Sequence, residues 1–109
     1  MLKPISATLA ALMIVSTSAN ADSVLSKQFL VYFGTYTGSS RGIYVSRFDT
    51  ASGELSAPAL AAKSANPSFV ATTPDNRFLF AVNETSHFAG QPGGSVSAFK
   101  RDAGTGELE

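Results

Sequence analysis

Asp49-Thr50-Ala51-Ser52-Gly53-Glu54-Leu55 returns near the end of the chain as Asp102-Ala103-Gly104-Thr105-Gly106-Glu107-Leu108, at an offset of 53. Both copies place Gly four residues after Asp, where glycine takes a positive φ at little steric cost, so each reads as a tight turn. Outward from this pair, Val45-Ser46-Arg47-Phe48 aligns with Val96-Ser97-Ala98-Phe99 at an offset of 51. Leu30-Val31-Tyr32-Phe33 aligns with Leu79-Phe80-Ala81-Val82 at an offset of 49. Two small insertions account for the drift.

The repeated pieces are strands. Phe29-Leu30-Val31-Tyr32-Phe33 and Phe78-Leu79-Phe80-Ala81-Val82 are unbroken apolar and aromatic runs, expected as strands buried on both faces. Residues 43–48, 69–72 and 96–99 are further strands. Thr73-Pro74-Asp75-Asn76-Arg77 is a turn, with Pro pre-setting φ and Asn tolerating the left-handed region. After Ala21 no helical period is sustained, and residues 55–65, interrupted by Pro58, read as an outer strand plus loop. A period near 50 residues carrying four short strands is the pattern of a β-propeller blade. Two similar hairpins in a sandwich are the competing reading. In the propeller frame, residues 67–72, 78–83 and 96–101 are strands one to three of a blade, with the fourth starting near Glu107. Residues 29–36, 43–48 and 55–62 are strands two to four of the blade before it.

The front of the chain has a different character. Met1-Leu2-Lys3 is a short positive start, residues 5–15 are uncharged and mostly apolar, and Ala19-Asn20-Ala21 supplies a small-x-small cleavage pattern. That order describes a helical secretory signal peptide over residues 1–21, too short to span a membrane. Cleavage leaves residues 22–109 as the mature part, expected to be periplasmic or extracellular.

Composition narrows the chemistry. Across 109 residues, 8 Lys and Arg balance 8 Asp and Glu, which removes the basic field of a nucleic-acid binder. The absence of Cys rules out disulfides and thiolate metal sites, and a single His rules out a multi-His centre. Gly34, Gly38 and Gly42 lack the spacing of a nucleotide motif. Ser86 or Ser95 with His87 and Glu84 spell a triad only on paper, because no Gly-x-Ser-x-Gly elbow is present. The expectation is no cofactor, no metal and no membrane partner for the mature part, with metal-assisted hydrolysis through Asn83 and Glu84 as the open alternative.

Gly34-Thr35-Tyr36-Thr37, Gly42-Ile43-Tyr44-Val45, Arg47-Phe48-Asp49, Asn66-Pro67-Ser68-Phe69, residues 74–84 and residues 92–99 together resemble the N-terminal blades of the seven-bladed propeller lactonases, the 6-phosphogluconolactonase-like proteins. The resemblance implies an all-β fold, a partial β-propeller of about one and three-quarter blades out of seven. It also implies hydrolysis of a sugar-type lactone, a small-molecule partner, by the complete protein. At about 50 residues per blade a full ring needs about 350 residues, so this segment alone is expected to be inactive. The alternative is an exported propeller without enzymatic activity that binds a protein or surface ligand.

Lactone hydrolysis requires a base for water and donors or a cation for the developing oxyanion. In a propeller the loops over residues 37–42, 63–67 and 84–94 share one rim, and the turns over 50–54 and 73–77 lie on the other. Glu84 and His87 on the first rim are the candidate catalytic residues. Arg41, able to hold a phosphate or carboxylate, and Asn83 are the candidate substrate-binding residues. Asn66 is expected to fix the start of the inner strand.

Overall fold

The computed structural model describes residues 25–109; the expected signal peptide lies outside them. Eight strands run in order: β1 (Gln28–Phe33), β2 (Gly42–Asp49), β3 (Ala59–Lys63), β4 (Pro67–Thr72), β5 (Phe78–Asn83), β6 (His87–Phe88), β7 (Gln91–Pro92) and β8 (Ser95–Lys100). They form two antiparallel three-stranded sheets, β1-β2-β3 and β4-β5-β8, and a small ribbon, β6-β7. The described residues are thus all β, arranged as two successive repeats.

The sheets pack face to face. Ile43, Val45 and Ala61 from the first sheet meet Leu79 and Ala81 of β5 and Leu108, with Leu30, Tyr32, Val70 and Phe99 packed around them. Ile43 and Leu79 are both 0% exposed, and each such burial contributes roughly 1.5–3 kcal/mol. The seam also carries polar contacts. The Tyr32 hydroxyl donates to the Gly106 carbonyl at 2.8 Å and accepts from Arg101 Nε at 3.1 Å.

The two repeated turns match bond for bond. Asp49 Oδ1 accepts from the Ala51 and Ser52 amides at 2.8 and 3.2 Å, and Asp102 Oδ1 accepts from Gly104 and Thr105 at 2.8 and 2.7 Å. Gly53 N–H donates to Asp49 O at 2.8 Å, and Gly106 N–H to Asp102 O at 2.9 Å. The glycines have φ of 75° and 82°, and Asn76 has φ of 59°, as the turn chemistry requires. Both turns feed a bridge back to the preceding strand, Phe48 with Leu55 and Arg101 with Leu108.

Four details differ from the sequence reading. First, the aromatic runs are not covered on both sides. In β5 Leu79 and Ala81 are buried while Phe78, Phe80 and Val82 are open, because only one face meets the other sheet. Second, the β1 alignment slips by one residue. Tyr32 pairs with Val45 and Val82 with Val96, so the structural offset is 50, matching Tyr32 with Val82. An offset of 49 equates Leu30 with Leu79, which enter the shared core from opposite sheets, and a one-residue slip reverses every side chain. Third, residues 55–62 are not one strand: Leu55 bridges Phe48, and β3 begins only after Pro58. Fourth, residues 84–94 are not all loop, since β6 and β7 form a hairpin closed by Ala89 and Gly90 at φ of 51° and 76°. Two positive φ values mark a type I′ turn, and Ala is an unusual residue for it, so the hairpin left no clear trace in the sequence.

The repeated glycines separate two costs. A Cβ at Gly53 meets nothing within 4 Å, whereas at Gly106 it meets Val45 Cγ2 at 3.0 Å and Leu30 Cδ2 at 3.3 Å. Gly53→Ala is expected to cost about 1 kcal/mol from positive φ alone, and Gly106→Ala about 2–4 kcal/mol because it also pushes the sheets apart. Urea unfolding of the two variants checks the order.

Candidate functional site

Three connections meet at one end of the sheets: the segment after β1, the β3–β4 link, and the segment leaving β5. Asn66 ties them together. Its Oδ1 accepts from the Thr37 amide at 2.8 Å and the Thr37 hydroxyl at 2.6 Å, and its own amide donates to Thr37 Oγ1 at 3.1 Å. Its Nδ2 donates to the Glu84 carbonyl at 3.1 Å, and its carbonyl accepts from Glu84 N–H at 3.0 Å and Ser68 N–H at 2.7 Å. The backbone sits at φ of 40°, a left-handed conformation that Asn tolerates better than most residues. Asn66 therefore does fix the start of β4, as expected, and also joins both neighbouring segments.

This scaffold places Tyr36 against Glu84. The Tyr36 hydroxyl donates to Glu84 Oε2 at 2.6 Å, a short charge-assisted bond between residues 48 apart in the chain. The bond holds the Glu84 carboxyl below its ordinary pKa, with a lesser contribution from the Ser68 hydroxyl. The same bond, and the negative charge it meets, raise the Tyr36 phenol. Glu84 is thus ionised at neutral pH and accepts hydrogen bonds. Tyr36 is 65% exposed, with its hydroxyl tied to Glu84.

Asn83 precedes Glu84 on β5 and points the other way, as strand alternation requires. It is 5% exposed. Its Nδ2 donates to Ser64 Oγ and the Ala65 carbonyl, both at 2.7 Å, and its Oδ1 accepts from Ser97 Oγ at 2.6 Å. Both amide hydrogens are therefore committed to the fold. His87 lies in β6, exposed, with Nδ1 3.2 Å from Ser86 Oγ. Asn83 and His87 line a shallow groove of ≈ 550 Å³ with Lys63, Thr85 and Ser97. Glu84 lines an adjoining depression with Val82, Gly94 and Val96, and Asn83, Thr85 and Ser95 line both. The structure accordingly joins Glu84 to Tyr36 by a hydrogen bond and sets Asn83 on both depressions, with His87 on the first. Arg41 is exposed on the loop before β2. Its backbone N–H donates to the Tyr44 hydroxyl at 3.1 Å and its carbonyl accepts from Ser64 at 3.2 Å. Tyr36 is the rim residue that the sequence reading did not single out; its only signal was a place in the Gly34-Thr35-Tyr36-Thr37 stretch.

A family model described as lactonase, seven-bladed β-propeller, matches residues 30–109. The chain belongs to this lactonase family. Its two sheets are neighbouring blades, and a blade within a ring is packed on both faces, which accounts for the apolar character of the open side of β5. Among relatives of the lactonase segment, the 6-phosphogluconolactonase of Bacillus subtilis is 43% identical over 82 residues, covering 74% of this chain and 22% of the relative. The solved structure of the periplasmic gluconolactonase of Pseudomonas aeruginosa superimposes with a TM-score of 0.66 at 38% identity, covering 76% of this chain and 23% of that one. A Bacteroides fragilis structure gives a TM-score of 0.65 at 38% identity, covering 75% and 22%. The chain therefore spans less than a quarter of the length of these relatives.

Tyr36→Phe removes the donor, so the Glu84 carboxyl is expected to titrate at higher pH, towards its ordinary value, in a carbon-detected NMR titration. Because the folded pKa is depressed, the tie contributes stability above the ordinary carboxylate range and loses it as pH falls through the depressed value. An unmoved Glu84 titration in the variant rejects this cause. Separately, Asn66→Ala is expected to speed amide hydrogen exchange at Thr37 and Glu84 about tenfold or more, leaving the Leu79 amide in β5 much less affected.

Proposed function

We propose that the complete protein containing this segment hydrolyses a sugar-type lactone, and that this rim contributes groups to substrate binding and to catalysis. The observation that carries the reading is an ionised, hydroxyl-bonded carboxylate, Glu84, held at the rim of a chain belonging to the lactonase family. In the reaction, water attacks the lactone carbonyl, the tetrahedral intermediate collapses with cleavage of the ring C–O bond, and the freed alkoxide takes a proton to give the hydroxy acid.

A carboxylate with a depressed pKa is a weak base and a good acceptor. Glu84 is accordingly assigned to orienting the attacking water or a substrate hydroxyl. His87, on the adjacent groove, is assigned to proton transfer, a role suited to an imidazole exposed at the rim. Arg41 supplies a cation for a phosphate or carboxylate on the substrate. Asn83, with its amide committed, acts as a positioning residue that sets the exit of β5 and hence Glu84. Residues 1–21 direct export, which gives a periplasmic or extracellular enzyme like the Pseudomonas relative. Residues 22–109 alone form an incomplete ring and lack activity.

A hybrid ring tests the reading, with residues 30–109 replacing the matching segment of the Bacillus subtilis relative. It is expected to open glucono-δ-lactone, with or without a 6-phosphate, faster than buffer does. Glu84→Gln and His87→Ala are each expected to lower kcat/KM about tenfold or more. A folded hybrid that leaves every lactone at the buffer rate overturns the proposal, and saturable binding of a protein or surface glycan by that hybrid would favour the non-enzymatic alternative.

A further inference from the structure

We infer that Tyr36 is a substrate-positioning residue: its ring face carries the apolar face of a sugar ring, while its hydroxyl aims Glu84 at a ring hydroxyl. The inference rests on the lactone reading for the class of ligand. Three observations carry it. The first is placement: Tyr36 lies where the segment after β1 meets the exit of β5, tied on its C-terminal side through Thr37 to Asn66. The second is orientation: the hydroxyl is held at 2.6 Å while Tyr36 is 65% exposed among the described residues, so neither of these two blades packs the residue away. The third is spare capacity. An ionised carboxylate offers about four acceptor positions, and Tyr36 and the Ser68 hydroxyl leave about two of them open.

A pyranose-type ring has matching features. Its axial C–H groups form an apolar face that packs against an aromatic ring, and its hydroxyls donate to carboxylates. Tyrosine suits the task because it offers a large rigid surface at low entropic cost and a polar tip that is satisfied elsewhere. A lactone with the same ring and ester but no hydroxyls keeps the apolar face and lacks the donors that Glu84 would accept from. Tyr36 is therefore a specificity determinant for polyhydroxylated over plain lactones.

The test compares glucono-δ-lactone with δ-valerolactone in the hybrid ring carrying Tyr36, Tyr36→Phe, Tyr36→Leu or Tyr36→Ala. Thermal melts verify that each variant folds. For Tyr36→Leu and Tyr36→Ala, the ratio of kcat/KM for gluconolactone to that for valerolactone is expected to fall about tenfold or more, chiefly through KM. Tyr36→Phe, which keeps the ring and loses the hydroxyl, is expected to lower the ratio about as far while leaving valerolactone opening near the parent. An unchanged ratio in Tyr36→Ala overturns the inference, as does an equal loss on both substrates, which is the signature of a structural role. Calorimetry with the unreactive gluconolactam separates the two readings. A parent hybrid that opens no lactone but binds the lactam, with binding lost in Tyr36→Ala, refutes the lactonase reading and upholds the sugar platform. A parent that binds no lactam and opens no lactone overturns both.

Discussion

Neither three-stranded sheet has a core of its own; the hydrophobic core exists only between them. Ile43 and Leu79 are sealed because β2 of one repeat and β5 of the next lie against each other, and a small isolated sheet in water has little means of holding itself together. The other features follow from this packing. The Asp102 turn docks on the first sheet because Gly106 lets the backbone approach Val45 and Leu30. Tyr32 and Arg101 then find hydrogen-bond partners across the seam. At the far end the same packing brings Thr37, Asn66 and Glu84 within bonding reach.

Much of this architecture was legible in the residues. The Asp-to-Gly spacing in both copies of the turn encodes a positive φ, and Asn76 after Pro74 encodes another, so these turns are local chemistry written directly in the chain. The strands followed from aromatic runs between those turns. The register did not follow as well. Leu30 and Leu79 look equivalent as letters, yet strand alternation makes Tyr32 the counterpart of Val82, and only the pairing with Val45 and Val96 reveals this. The hairpin of β6 and β7 was missed because Ala89 occupies a position where Asn, Asp or Gly is the usual signal.

The rim divides along the same line. Asn66 carried a local sign, since it precedes Pro67 and begins a strand. Glu84 and His87 were placed on one rim by topology, and both follow β5 in the segment that leaves it. They line adjoining depressions that share Asn83, Thr85 and Ser95, a division that no local pattern announces. The pairing of Tyr36 with Glu84 had no sequence signal, because it joins two repeats through the stacking of sheets and not through any short-range pattern.

That pairing has a mechanical consequence. The phenol belongs to one blade and the carboxylate to the next, so the bond measures the angle between two rigid bodies. A slide of about 1 Å at the core stretches a 2.6 Å contact beyond hydrogen-bonding range. The site thus behaves as a gauge of blade alignment. A substitution that lets the blades slide is expected to lengthen this bond even where it lies far from the rim.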